Sequence, residues 1–270
     1  MKEFALELAA KQEGLSAKLN TMREYVQAYT LKILNDAGFF RYSAFLGGTA
    51  LRFLYDLPRF SEDLDFSLEQ KEKEYSFVNL IEKIKSEFVL AGYKISVSFN
   101  DQKTVHSAFL KFEELLYEAR ISPLKSQKFS IKIDIDTNPP KGAITKKDII
   151  NKYFPIMFLS YDLSSLFAGK LHAVFSRKYT KGRDFFDIGW YLSKWKGLAP
   201  NFALLKNSLT QTGYSGEFPN EQNWRDCLYK AIENTDWNKV KKDIENFLET
   251  QKDLEVFSKE NILLLVKTTS

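Results

Sequence analysis

Two short strings constrain this chain more than anything else in it: Gly47-Gly48-Thr49, and then Arg59-Phe60-Ser61-Glu62-Asp63-Leu64-Asp65-Phe66. On a strand, residues two apart share a face, so Asp63 and Asp65 project together while Leu64 and Phe66 project to the other side. Two carboxylates held close repel each other, and a divalent cation relieves that repulsion. Gly47 and Gly48 let the backbone approach a phosphate, and Thr49 offers a hydroxyl donor to one of its oxygens. A phosphate cradle beside a carboxylate pair is the minimum equipment for metal-assisted phosphoryl or nucleotidyl transfer. Each part alone is an ordinary turn, a helix cap or a solvated strand edge. No Gly-Lys-Ser/Thr follows at Walker spacing, so this is not a P-loop.

The surrounding pattern supplies strands and helices for these parts. Leu19, Met22, Val26, Tyr29 and Ile33 predict a helix over 16–36, and Gly38 a stop after it. Tyr42–Leu46 suits a short strand delivering the glycines. A short helix fits Ala50–Tyr55, ending ahead of Pro58, with its N-terminal N–H groups aimed at the glycine turn. Asp63–Leu68 is the next strand. A helix is expected over 74–90, then strands over 94–99, 105–112 and 129–136. Asn138-Pro139-Pro140-Lys141-Gly142 marks a loop. Beyond it the chain reads as helical: from Ser160, as cap, to about Lys178, then Arg183–Trp195, 200–208, 221–233, 236–251 and 253–267. The expected division is a sheet-bearing domain over 1–150 and a helical domain over 151–270.

Two further constellations bear on chemistry. In 129–136, Ile131, Ile133 and Ile135 share one face and Lys132, Asp134 and Asp136 the other. Two-metal transfer needs a third carboxylate opposite the first pair; Asp134 is the first choice and Asp136 the second. The alternative is an exposed face on which Lys132 pairs with Asp134. Further on, Lys170 and Arg177 stand seven apart, about two helical turns, as candidate clamps for phosphates. Asp184 and Asp187 follow on the next helix to orient them; ion pairing purely between helices is the alternative. His172 and His106 read as packing or surface residues, and no zinc spacing is present.

Composition narrows the class. With 23 Phe in 270 residues the chain has the means to build a core. No apolar run reaches transmembrane length and the first ten residues are not a leader, so a cytoplasmic protein off the membrane is expected. The single Cys227 has no internal disulfide partner and reads as a helix-packing residue. The net charge is only +4, yet 161–196 holds seven Lys/Arg against three Asp, the same excess in one short segment. Such a patch attracts polyphosphate, or is simply a solvated helix face.

Phe45-Leu46-Gly47-Gly48-Thr49-Ala50-Leu51-Arg52 with the 59–66 string resembles the opening motifs of the AbiEii/AbiGii nucleotidyltransferase toxins. Lys170-Leu171-x-Ala173-x-x-x-Arg177 and Arg183-Asp184-x-x-Asp187-Ile188 resemble that family's later motifs, in the same order. The resemblance implies an α+β, DNA-polymerase-β-like nucleotidyltransferase sheet domain with a mainly helical C-terminal domain. It also implies a nucleoside triphosphate (NTP) substrate, Mg²⁺ or Mn²⁺, and a toxin opposed by an antitoxin in a phage-defence setting. The acceptor it implies is RNA, tRNA first. By motif, Gly47, Gly48 and Thr49 would hold phosphate, Asp63 and Asp65 metal, and Lys170 phosphate, with Arg177 beside it. Asp187 would be a functional carboxylate, and Asp134 or Asp136 the third metal ligand. Transfer to a protein hydroxyl, or nucleotide binding without turnover, are the competing readings.

Overall fold

A computed structural model describes residues 1–70 and 75–268. They divide into two compact units, one of residues 1–56, 60–139 and 146–160, the other of 57–59, 140–145 and 161–270.

The first unit is built on a mixed seven-stranded sheet flanked by helices, an α+β arrangement. Its elements are α1 (Lys2–Ala10), α2 (Leu15–Asp36), β1 (Ser43–Leu46), α3 (Gly47–Tyr55), β2 (Asp63–Leu68), α4 (Phe77–Leu90), β3 (Ile95–Asn100), β4 (Val105–Phe112), α5 (Leu115–Glu118), β5 (Phe129–Asp136), β6 (Thr145–Asn151) and β7 (Pro155–Tyr161). The strand order is β3-β4-β5-β2-β1-β7-β6. β2 lies centrally, antiparallel to β1 and parallel to β5. The alternation read from the sequence is realised on both strands: Leu64, Phe66, Ile131, Ile133 and Ile135 are buried, and the acidic residues between them lie on the other face. Phe45 of β1 stacks against both Phe66 and Phe158, at ring distances of 5.4 and 5.3 Å. These apolar contacts fix the position of β2, and with it the direction of its carboxylates.

The second unit is helical: α6 (Leu163–Ser176), α7 (Gly182–Lys194), α8 (Phe202–Gln211), α9 (Trp224–Glu233), α10 (Trp237–Ile244), α11 (Gln251–Val256) and α12 (Lys259–Thr268). Phe167, Tyr191, Leu205, Leu228 and Val240 form its core. Cys227 is buried on α9.

Several expectations are corrected here. The sheet runs past residue 150, because 145–151 and 155–161 are strands. β6 alternates between exposed and half-buried positions, and its apolar pair Ile149-Ile150 breaks any period a reader would find. Ser160 is therefore a strand residue; Asp162 caps α6, accepting from the Ser165 N–H at 2.8 Å. The expected helix over 236–251 ends at Ile244 in a short 3₁₀ turn, and the last expected helix is two, broken at Phe257-Ser258. The described part of α4 begins after the Ser76 cap; position 74 of the expected helix lies outside the described residues. Helix α1 had no counterpart in the sequence reading.

Candidate active site

The glycine turn is the first turn of a helix rather than a loop ahead of one: α3 begins at Gly47, directly after β1. No side chain caps this end, which leaves its polarity to favour an anion. Gly47 has φ +81°, and a methyl built on it would overlap Asp65 Oδ2 and lie 3.1 Å from Asp65 Cβ and Cγ. The Asp65 carboxylate is thus packed against the glycine, and a side chain at 47 would displace it. Thr49 corrects an expectation: it is fully buried and its hydroxyl donates to the Asp63 carbonyl, so it ties α3 to β2 instead of reaching a phosphate.

Register sets the acidic face. Asp63 lies beside Lys132 and Asp65 beside Asp134 across the β2–β5 pairing, while Ser107 of β4 flanks Asp134 from the other side. Asp136 lies one step further along, opposite Ser67. This separates the two candidates for third carboxylate: Asp134 neighbours the pair and Asp136 does not. Asp136 accepts from the Asn138 N–H, and burial pushes its carboxyl above the usual range despite that bond. Asp134 is engaged on both oxygens, at 2.6 Å by the Ser107 hydroxyl and at 2.5 Å by the Lys132 ammonium. The alternative expected for Asp134, a pair with Lys132, is therefore present. Burial pulls Lys132 down, but the Asp134 hydrogen bond and the charges of Asp134, Asp63 and Asp65 hold it above its ordinary value. Among the described residues no group of three or more His, Cys, Asp or Glu gathers closely enough to hold a metal ion. The adjacent pair Asp63 and Asp65 still fits Mg²⁺. Its donors are hard carboxylate oxygens, the glycine cradle leaves them in place, and Mg²⁺ commonly takes one or two carboxylates and completes its shell with substrate phosphates and water.

Helix α2 supplies supports that the sequence reading missed. Gln27 is buried, and its amide donates to the carbonyls of Ser61 and Glu62, gripping the chain just before β2. Glu24 binds Arg52 of α3 at 2.5 Å and also accepts from Lys152 and the Tyr153 hydroxyl. Burial opposes its ionisation, but Arg52 and Lys152 outweigh that and hold the carboxyl below its usual range. Glu24 thereby fixes the far end of the helix whose near end is the glycine turn. The available signal was two long polar residues, Glu24 and Gln27, set among Met22, Tyr25, Val26, Ala28 and Tyr29.

The later motifs make a constellation of their own inside the helical unit. Arg59 is 2% exposed and Asp187 is fully buried, and the two form a bidentate pair with both bonds at 2.6 Å. Lys170 bridges Asp187 at 2.7 Å and Asp184 at 3.2 Å. Arg177 lies past the end of α6 in extended backbone, so it does not share a helical face with Lys170; the two converge instead on Asp184, which Arg177 meets at 2.5 Å. Burial works against the Asp184 charge, but Lys170, Arg177 and Lys181 keep its carboxyl below the usual range. Lys170 and Asp187 are thus ions paired within their own unit. Arg59, a motif residue to which the sequence assigns no chemistry, is the partner of Asp187. His172 bonds Thr212 and His106 bonds Tyr75, both outside these constellations. Among the described residues no helix is long and apolar enough to cross a membrane.

Comparison with known proteins follows the same lines. Residues 30–259 match the family described as nucleotidyl transferase AbiEii toxin, type IV toxin–antitoxin system. The fold is similar to MenT4, a nucleotidyltransferase toxin of Mycobacterium tuberculosis, with a TM-score of 0.60 at 13% identity over 99% of this chain and 90% of that one. It is also similar to a candidate nucleotidyltransferase from H. pylori, with a TM-score of 0.56 at 19% identity over 93% of this chain and 92% of that one. No curated protein matches the chain by sequence.

Proposed function

Since the chain belongs to the AbiEii nucleotidyl transferase toxin family, we propose that it is an NTP-dependent, divalent-metal-assisted nucleotidyltransferase whose acceptor is RNA, tRNA first, and whose reaction is centred on the acidic face of β2 and β5. Family membership brings with it a cognate antitoxin. The observation that carries the chemical reading is the packing of the Asp65 carboxylate against Gly47 at the start of α3. It puts an anion-favouring helix end beside a carboxylate pair, the combination that triphosphate with divalent cation requires.

In this reading the first turn of α3 receives the triphosphate, and Asp63 and Asp65 hold the divalent cation. When bound, that cation supplies Lewis-acid polarisation of the phosphates and neutralises part of their charge. The acceptor hydroxyl oxygen bonds to the α-phosphorus, the bond from that phosphorus to the bridging oxygen breaks, and pyrophosphate leaves with the electron pair. Asp134, next to Asp65 in register, takes up the hydroxyl proton or orients the hydroxyl for its loss. Thr49, Gln27 and Glu24 hold the framework and are positioning residues. Within the helical unit, Arg59, Lys170 and Asp187 act as positioning residues, since each is committed to an internal ion pair. The exposed Lys178, Lys194 and Lys196 of the basic 161–196 segment are the docking surface for the RNA backbone.

The test is a matrix of the four labelled NTPs against total tRNA, other RNA and total protein, each with and without Mg²⁺. Magnesium-dependent label on RNA is the expected result. Label on protein alone rejects the RNA acceptor, and Mg²⁺-independent triphosphate binding without transfer rejects the enzyme.

A further inference from the structure

We propose that Lys132 is the resting counter-ion of the carboxylate cluster: its ammonium keeps Asp134 occupied until a divalent cation displaces it, so that the third carboxylate joins the site only when metal arrives. The inference rests on the metal-assisted reading above and adds a residue and a sequence of events to it.

Three features carry it. The first is register. Lys132 and Asp134 are two apart on β5 and so share a face with Asp63 and Asp65, which lie directly beside them on β2. These four neighbouring positions therefore hold three carboxylates and one ammonium, a net charge near −2 that a divalent cation brings to zero. The second is occupancy. Both Asp134 oxygens are engaged, one by Ser107 and one by Lys132. That accounts for a face with three acids on neighbouring strand positions yet no three-carboxylate cluster of metal-holding geometry among the described residues. The third is reversibility. The Lys132–Asp134 pair is local to one strand, with side chains 33% and 20% exposed, so its rupture needs no movement of another element and a partly exposed pair of this kind is weakly held. A place for the released ammonium is at hand: Lys132 lies beside Phe109 across the β4–β5 pairing, with its ammonium already 6.0 Å from the ring centroid. The charges of Asp63 and Asp65 also act on Lys132, as expected of an ammonium standing in for a cation that all three acids attract.

The experiment titrates Mn²⁺ alone into the metal-stripped full chain and follows free Mn²⁺ by electron paramagnetic resonance. The proteins are wild type, Lys132→Met, Lys132→Arg, Asp134→Asn and the double variant Lys132→Met/Asp134→Asn. Lys132→Met is expected to tighten Mn²⁺ binding by up to about fivefold, the equivalent of losing one partly exposed ion pair. Lys132→Arg, which keeps the charge, stays near wild type. The gain disappears in the double variant, because it comes from freeing Asp134. A gain that survives without Asp134 is only the removal of a nearby positive charge and overturns the proposal. Wild-type binding that Lys132→Met leaves unchanged or weakens also overturns it while leaving the metal-assisted reading intact. If none of the five binds Mn²⁺, with or without added NTP, the metal-assisted reading itself falls and this inference with it.

Discussion

Replacing Gly47 by alanine probes the contact on which the site depends, and a second glycine provides the control. At Gly47 the methyl overlaps Asp65 Oδ2 and lies 3.1 Å from Asp65 Cβ and Cγ. Carbon atoms pack comfortably at about 3.5–4.0 Å, so the carboxylate must retreat by roughly 0.5–1 Å. The backbone at φ +81° adds a left-handed penalty of about 1–2 kcal/mol for any L side chain. Gly92 has φ +89° and nothing within 4 Å of an added methyl, so Gly92→Ala bears the backbone penalty alone. Both variants should therefore melt lower, by about 2–8 °C at roughly 2–4 °C per kcal/mol for a chain of this size. Only Gly47→Ala should lose Mg²⁺-dependent nucleotidyl transfer, by about a hundredfold, the usual consequence of moving a reacting group by an ångström. Melting curves by circular dichroism and initial rates of label transfer measure the two effects. Equal transfer rates for Gly47→Ala and Gly92→Ala would refute the argument that the glycine exists to seat Asp65.

Three further outcomes follow from the ion pairs. Arg59→Met removes one partner of a buried bidentate pair and should cost about 3 kcal/mol in urea unfolding, moderated because Lys170 stays on Asp187 at 2.7 Å; a loss under about 1 kcal/mol speaks against a structural role. The Glu24 carboxyl is held below its ordinary 4.5 in the folded protein, so it contributes stability in full above that pH and loses it as pH falls through the folded value. Glu24→Gln should accordingly be less stable at neutral pH, and its melting temperature should fall less steeply than that of wild type below pH 4.5; parallel curves would contradict the assignment. Asp134→Asn, measured with saturating NTP and Mg²⁺, should lower kcat more than it raises KM, as expected of a group that acts on the acceptor hydroxyl.

What the sequence made legible and what it hid divide along physical lines. Strand alternation is a period-two pattern in the chain itself, so 63–68, 105–112 and 129–136 were readable, and with them the shared face of Asp63 and Asp65. Which of Asp134 and Asp136 neighbours that pair depends on how β5 registers against β2, and no local pattern encodes register between strands more than sixty residues apart. The same holds for ion pairs. Arg59 and Asp187 are 128 positions apart; in sequence Asp187 reads as a carboxylate with a chemical task and Arg59 as a motif residue with none, and only burial reveals them as each other's partner. Thr49 had a hydroxyl that suited phosphate, and the competing acceptor, the Asp63 carbonyl, became visible only once α3 was laid against β2. The strand at 145–151 escaped because β6 buries little of either face, which leaves the hydrophobicity of its sequence no reason to alternate.

Nucleotidyl and phosphoryl transfer part company at one atom, so labelled phosphorus decides the central claim most directly. RNA is incubated with Mg²⁺ and the preferred NTP carrying label either on the α-phosphorus or on the γ-phosphorus, using wild type and Asp65→Ala. The account predicts label on RNA from the α-labelled nucleotide, none from the γ-labelled one, and neither with Asp65→Ala. Transfer from the γ position, or α transfer that Asp65→Ala leaves undiminished, would contradict it.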